Sequence, residues 1–171
     1  MTSRLKDFNL QEVDLTGRDY PTVRAVMQIV ERRMKEPSSL ADLSRVEADL
    51  LATATAHGVI GNGGHMYWYE GKIATATDKV AASFDRLGLP AVAEAMRASL
   101  RVFPDGAPQD DLAARHLYLS ANRARLEESF RELDEVVWDA DWHAAAMAYI
   151  DAHRADLASI APEYRAALRL Q

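Results

Sequence analysis

The sequence predicts an all-α fold: a single compact multi-helix domain of about seven helices. Three observations carry this. Apolar residues recur at three- and four-residue spacings in segment after segment, which places them on one side of a helix. Prolines and glycines fall between those segments rather than within them. No two runs alternate as paired strands do, and no repeat period is present.

The elements follow in order. Residues 1–18 mix polar and apolar types without a period and read as an N-terminal arm packed on one helical domain, 19–171. After Pro21, the residues Val23, Val26, Met27, Val30 and Met34 form a stripe that Pro37 closes. Ser39 with Asp42 reads as a capping box opening a second helix, carried by Leu40, Leu43, Leu50, Leu51 and Ala54 to Gly58. Gly61-Asn62-Gly63-Gly64 then reads as a strong break, a tight turn between helices. The aromatic run His65-Met66-Tyr67-Trp68-Tyr69 reads as helical or irregular rather than as a strand. A third helix is expected from about Thr75 to Leu87, ended by Gly88. Pro90 suits the first turn of a fourth, with Val92, Met96, Leu100 and Phe103 inward. Pro104 to Pro108 is a loop. A long helix, continuous or kinked, is expected from Asp110 through Val137. Asp141 can cap a further helix, and Pro162 starts a last one from Glu163 to Leu170.

The long helix carries the most informative pattern. Leu126, Phe130, Leu133 and Val137 repeat at spacings of four, three and four, and Glu128, Glu132, Glu135 and Asp139 repeat identically two residues later. An offset of two residues is about 200° of rotation, so the acidic row lies almost opposite the apolar one. The row spans roughly 16 Å of axis, with gaps of about 4.5–6 Å against the ~3.4 Å rise per phosphate of one DNA strand. It is a sparse copy of a phosphate backbone, which a dimer or the neighbouring Asp105, Asp110, Asp111 and Asp141 would have to complete. Arg131 is expected to pair with Glu127 and Glu135. A helix break at Asp134 would bend the row.

Charge is unevenly placed. The net charge of −6 divides into −1 over residues 1–88 and −5 over 89–171, and the window 127–141 holds seven acids with Arg131 as its single base. Direct nucleic-acid binding, which needs a basic face, is not expected; a basic partner is. There are no cysteines, which excludes disulfides, thiolate metal sites and a cysteine nucleophile. The N-terminus lacks the apolar core of a signal peptide and no segment approaches ~20 apolar residues, so a cytoplasmic protein with no membrane association is expected.

Asn62-Gly63-Gly64 followed by aromatics resembles the NGG-plus-aromatic signature of the bacterial DNA-mimic protein family. Phe84-Asp85-Arg86-Leu87-Gly88 resembles that family's helix end, Phe103-Pro104-Asp105-Gly106 its F-P-x-G loop, Leu133-Asp134 with Trp138 its leucine-aspartate-aromatic motif, and Ala148-Tyr149-Ile150 its closing helix. The resemblance covers about residues 40–157. His65 stands where the family usually has phenylalanine, Tyr67 at a glutamine position and Glu70 at an asparagine position. The resemblance implies an all-α fold, often dimeric, so a homodimer is among the expectations. It also implies, for some relatives, an acidic surface that imitates DNA and occupies DNA-binding proteins.

Catalytic signals are weak. The glycine run has neither the G-x-G-x-x-G spacing nor a following Lys-Ser/Thr of a phosphate cradle. None of the five histidines sits in H-E-x-x-H or follows an acid by three residues, and no serine lies in G-x-S-x-G. Asp139 and His143 are four apart and could meet on one turn. No metal or cofactor is expected. The leading expectation is a non-enzymatic interaction protein whose face Glu128, Glu132, Glu135 and Asp139 binds a basic protein, such as a DNA-binding protein. An alternative is an immunity- or antitoxin-like protein that plugs a partner through the patch of Asn62, Gly63, Gly64, His65, Tyr67, Trp68 and Tyr69. A third reading is a small enzyme with a pocket near His65 and Glu70.

Overall fold

The computed structural model describes residues 20–35 and 43–169. The expected N-terminal arm, Pro37 and the Ser39/Asp42 capping box lie outside the described residues. Among the described residues there are nine α-helices and no strand. They are α1 (Pro21–Lys35), α2 (Arg45–Glu70), α3 (Thr77–Arg86), α4 (Pro90–Leu100), α5 (Leu112–Ala121), α6 (Arg123–Trp138), α7 (Trp142–Ala152), α8 (Arg154–Ile160) and α9 (Pro162–Ala167). Short 3-10 turns cover Lys72–Ala76 and Pro104–Gly106.

Nine helices replace the expected seven because two long segments divide. The Asp110–Val137 segment breaks at Asn122, which leaves helical geometry (φ −116°, ψ 12°) while its side-chain amide donates to the Tyr118 carbonyl at 2.9 Å. The segment after Asp141 breaks at His153. The expected break at the glycine run is present but narrow: Gly61, Asn62 and Gly63 stay helical, and α2 kinks at Gly64 alone, so two helical halves meet there without a loop between them.

Helix α2 is the axle of the domain, packed against α1, α3, α5, α6 and α7. Its first turn is fixed by a capping box: Ser44 Oγ accepts from the Glu47 N–H at 3.2 Å, and Glu47 returns a carboxylate oxygen to the Ser44 N–H at 2.9 Å. Val46, Leu50, Leu51, Ala54, Ile60, Met66, Trp68 and Tyr69 bury its flanks on several sides. Two acids are buried among them. Glu47 also meets Arg33 Nε of α1 at 2.7 Å and accepts from the Tyr164 hydroxyl of α9 at 2.7 Å. Asp49 accepts from Arg86 Nε (2.7 Å), Ser83 Oγ (2.8 Å) and Tyr149 Oη (2.9 Å). Each carboxylate thus joins the axle to two further helices, and its charge is answered by hydrogen bonds rather than left in an apolar interior.

The α3–α4 hairpin turns on Gly88 (φ +81°). Its N–H bonds the Asp85 carbonyl at 3.0 Å and the Leu89 N–H bonds the Phe84 carbonyl at 2.9 Å, a Schellman end. The expected helix stop is therefore present, with Phe84 buried beneath it.

Candidate functional site

The acidic row forms as its spacing requires. Leu126, Phe130 and Val137 are buried, Leu133 is half-buried, and Glu128, Glu132, Glu135 and Asp139 are all exposed. Helix α6 runs unbroken through Asp134, so the row is straight, with Asp139 at the C-cap. The ion pairing differs from expectation. Arg131 turns to Glu128 at 2.5 Å rather than to Glu127 or Glu135, and Glu127 is taken by Arg123 at 3.0 Å. Three residues bring Glu128 and Arg131 onto one edge, while Glu127, one turn before Arg131, is already held by Arg123. Glu132, Glu135 and Asp139 have no ion pair among the described residues.

Helix α6 is charged against its own dipole. Arg123 and Arg125 occupy the first turn, where an acid would be favoured, and Glu135 and Asp139 occupy the C-terminal end, where a base would be. Each such placement costs roughly 0.3–1 kcal/mol at an exposed site, and each like-charged pair along the row costs about 0.2–0.5 kcal/mol. A helix face shaped by stability alone would carry the reverse pattern.

What holds this helix in place is a clasp between two segments 69 residues apart. At Gly64 the chain takes φ +69°, ψ −175°, a combination open almost only to glycine. The ladder is interrupted there, and the His65 N–H donates instead to Asp134 Oδ1 of α6 at 2.7 Å. The imidazole Nδ1 donates to the same oxygen at 2.5 Å. A Cβ on Gly64 would sit 2.5 Å from Asp134 Oδ2, so the absence of a side chain is what lets the carboxylate approach. Gly63 has no room either: a Cβ there would meet Tyr67 Cβ at 2.5 Å. One turn further along α6, the Trp138 indole N–H donates to the Ile60 carbonyl at 3.0 Å. The Asn62-Gly63-Gly64 and Leu133-Asp134…Trp138 motifs are therefore two halves of one contact.

A row of rings continues the clasp inward. His65 stacks on Phe130 (5.5 Å), Phe130 on Tyr69 (5.6 Å), and Tyr69 meets the edge of Phe103 (4.5 Å), which leans on Tyr118 (5.5 Å). Phe103 belongs to the Phe103-Pro104-Asp105-Gly106 loop, which turns through positive φ at Asp105 and Gly106. The glycine-aromatic run, the Phe103–Gly106 loop and the Leu133–Trp138 segment thus meet through side chains in one cluster.

A family model described as DMP19-like protein matches residues 41–153. The chain belongs to the DMP19-like protein family. No curated protein and no solved structure matches the chain. The span shared with the DMP19-like family runs from just before α2 to the end of α7, so it contains both halves of the clasp and the whole acidic row.

The aromatic patch is not a surface. His65, Trp68 and Tyr69 are fully buried, Gly64 is buried, and of the run only Tyr67, at 40%, reaches solvent; Asn62 and Gly63 are exposed beside it. Trp68 donates to Thr77 Oγ1 at 2.9 Å. Ser99 Oγ donates to the Met96 carbonyl at 2.7 Å, which leaves it to accept from the Tyr69 hydroxyl at 2.6 Å. Burial pushes the Tyr69 phenol up to about 12. A partner plugged through Trp68 would have to open the core. The glycine turn offers no phosphate cradle at His65, whose amide is already committed to a carboxylate.

His65 and Glu70 do not share a pocket. The His65 ring is sealed, its Nε2 without a hydrogen-bond partner. Glu70 lies on a groove of about 280 Å³ with His116, Leu119, Ser120 and Arg123. There its carboxylate meets Arg123 at 3.6 Å and its carbonyl accepts from His116 Nε2 at 2.8 Å. His143 stacks on Tyr20 (5.6 Å), and no ion pair joins it to Asp139 among the described residues. Among the described residues, no group of three or more histidines and acids is placed to hold a metal ion, and no helix is long and apolar enough to cross a membrane.

Sequence reasoning missed Arg115. It is almost fully buried and donates to the carbonyls of Gly71 (2.7 Å) and Gln109 (2.7 Å), tying α5 to the end of α2. Burial lowers its pKa, partly offset by Asp110 and Asp111. A single arginine between Ala114 and His116 carries no local sign of such a role.

Proposed function

We propose that the protein acts by binding rather than catalysis, and that the exposed face of α6 is a docking surface for a basic, DNA-binding protein. Glu128, Glu132, Glu135 and Asp139 would occupy lysines and arginines that otherwise contact phosphate, so that protein and DNA compete for one site. The observation that carries the reading is the charge placement on α6: acids retained where they repel one another and oppose the helix dipole, on a helix clasped rigidly to the core. Membership of the DMP19-like family is consistent with DNA mimicry and supports it.

The test is affinity capture from host lysate with the wild type and with the quadruple variant Glu128→Lys, Glu132→Lys, Glu135→Lys and Asp139→Lys, both checked for fold by circular dichroism. The expected result is a basic DNA-binding protein retained by the wild type alone, released by added DNA and by rising salt. Identical captures from both proteins, or retention indifferent to salt and DNA, would remove the reading.

A further inference from the structure

Helix α6 ends on an exposed indole flanked by two carboxylates. Trp138 is 53% exposed, and its one polar group, Nε1–H, is already given to the Ile60 carbonyl at 3.0 Å. That bond pins the ring by an edge, so what it turns outward is π surface with no hydrogen-bonding need of its own. On the α2 side the chain continues to Gly61, an exposed residue with open space where a Cβ would stand. Glu135 lies three residues before Trp138 and Asp139 directly after it; both are exposed. The ring also stands in the last turn of the helix, where the dipole is negative, and the face of an indole is itself negative. Several sources of negative potential thus converge on one spot, and the chain carries no lysine or arginine between Arg131, which is turned to Glu128, and Arg154.

We propose that Trp138 is the seat for an arginine of the basic partner, whose guanidinium lies flat on the indole while its N–H groups reach Glu135 and Asp139. The inference rests on the exposed face of α6 being the docking surface, and it names which cation that surface selects. A guanidinium is planar, with bare faces and its donors around the rim, so it can stack on a ring and donate sideways to carboxylates at once. A lysine ammonium is a compact, strongly hydrated charge that gives up one contact to make the other. The row of carboxylates attracts both cations; the ring at its end is what tells them apart.

The test is fluorescence anisotropy of the full chain with labelled octa-arginine and octa-lysine, peptides of equal charge, at one fixed ionic strength. The wild type is expected to bind octa-arginine the more tightly. Trp138→Leu should weaken octa-arginine by about two- to fivefold and leave octa-lysine almost unchanged. Trp138→Phe loses the same bond to the Ile60 carbonyl but keeps a π face, so it should hold most of the preference. Equal losses for both peptides in both variants would make Trp138 a packing residue and overturn the seat. The variant with lysine at 128, 132, 135 and 139 separates this inference from the reading beneath it. If it loses both peptides while Trp138→Leu still discriminates as the wild type does, the docking face stands and the arginine seat falls. Binding of neither peptide by the wild type, or octa-lysine binding unaltered in the four-lysine variant, would remove the docking face and the seat together.

Discussion

The backbone N–H and the imidazole Nδ1 of His65 converge on a single oxygen of Asp134, at 2.7 and 2.5 Å, and so lock α2 to α6. Asp134→Ala strands both donors in a closed interior and is expected to cost about 3 kcal/mol of stability; Asp134→Asn keeps an acceptor and should cost less. Urea unfolding of the two variants measures the difference.

Gly64→Ala should be worse than its size suggests. The backbone conformation alone costs about 1–3 kcal/mol for a residue with a side chain, and the new methyl would strike the Asp134 carboxylate. Gly61, with open space around it, is the control: Gly61→Ala should stabilise α2 slightly. Thermal melts of the pair report the contrast.

The acidic row should show opposite signs for stability and binding. Glu132→Gln with Glu135→Gln removes like-charge repulsion and an unfavourable dipole contact, so stability should rise by about 0.5–1.5 kcal/mol. Affinity for the captured partner should fall. A drop in both would mean the row contributes to folding instead.

Trp68→Ala should cost about 3–5 kcal/mol through the hole it leaves, whereas Tyr67→Ala, at a half-exposed ring, should cost far less. Loss of a partner on Trp68→Ala is thus expected only in step with loss of helical signal, measured on the same sample.

Two titrations give the pH profile its shape. Burial raises Asp49, but the hydrogen bonds from Arg86, Ser83 and Tyr149 outweigh it and hold the carboxyl below its ordinary value of 3.8. Its contribution is whole above that value and is lost as pH falls through the lower, folded one. His57 is pushed below its ordinary 6.5, chiefly by burial and also by His143, against the Ala140 backbone bond and Asp141. The unfolded chain therefore binds this proton first, and stability declines as pH drops below 6.5. His57→Gln should flatten the profile in that range and Asp49→Asn the acid limb below 4, in denaturation midpoints taken from pH 3 to 8.

The acidic row was legible because the residues that set the period of α6 are those that pack it: Leu126, Phe130 and Val137 fix which way Glu128, Glu132 and Glu135 point. The Gly88 stop was legible for a similar local reason. The narrowing of the glycine break to Gly64 alone, with Gly61–Gly63 still helical, was not. Three small residues at Gly61–Gly63 weaken a helix by about 1 kcal/mol per glycine, and burial on both sides of them outweighs that. The break at Asn122 has no glycine or proline to mark it. Asp134 is marked in the sequence only through the leucine-aspartate-aromatic resemblance; its partner lies 69 residues away and no periodicity links them.

The three tryptophans divide unequally between interior and water. Trp68 and Trp142 are sealed, while Trp138 is 53% exposed at the end of α6, beside Asp139. Iodide or acrylamide in solution can therefore quench one indole and spare the other two. The chain carries its own optical probe at the edge of the acidic face: a protein that settles there would shield Trp138, and the loss of quenching would read out occupancy without any label.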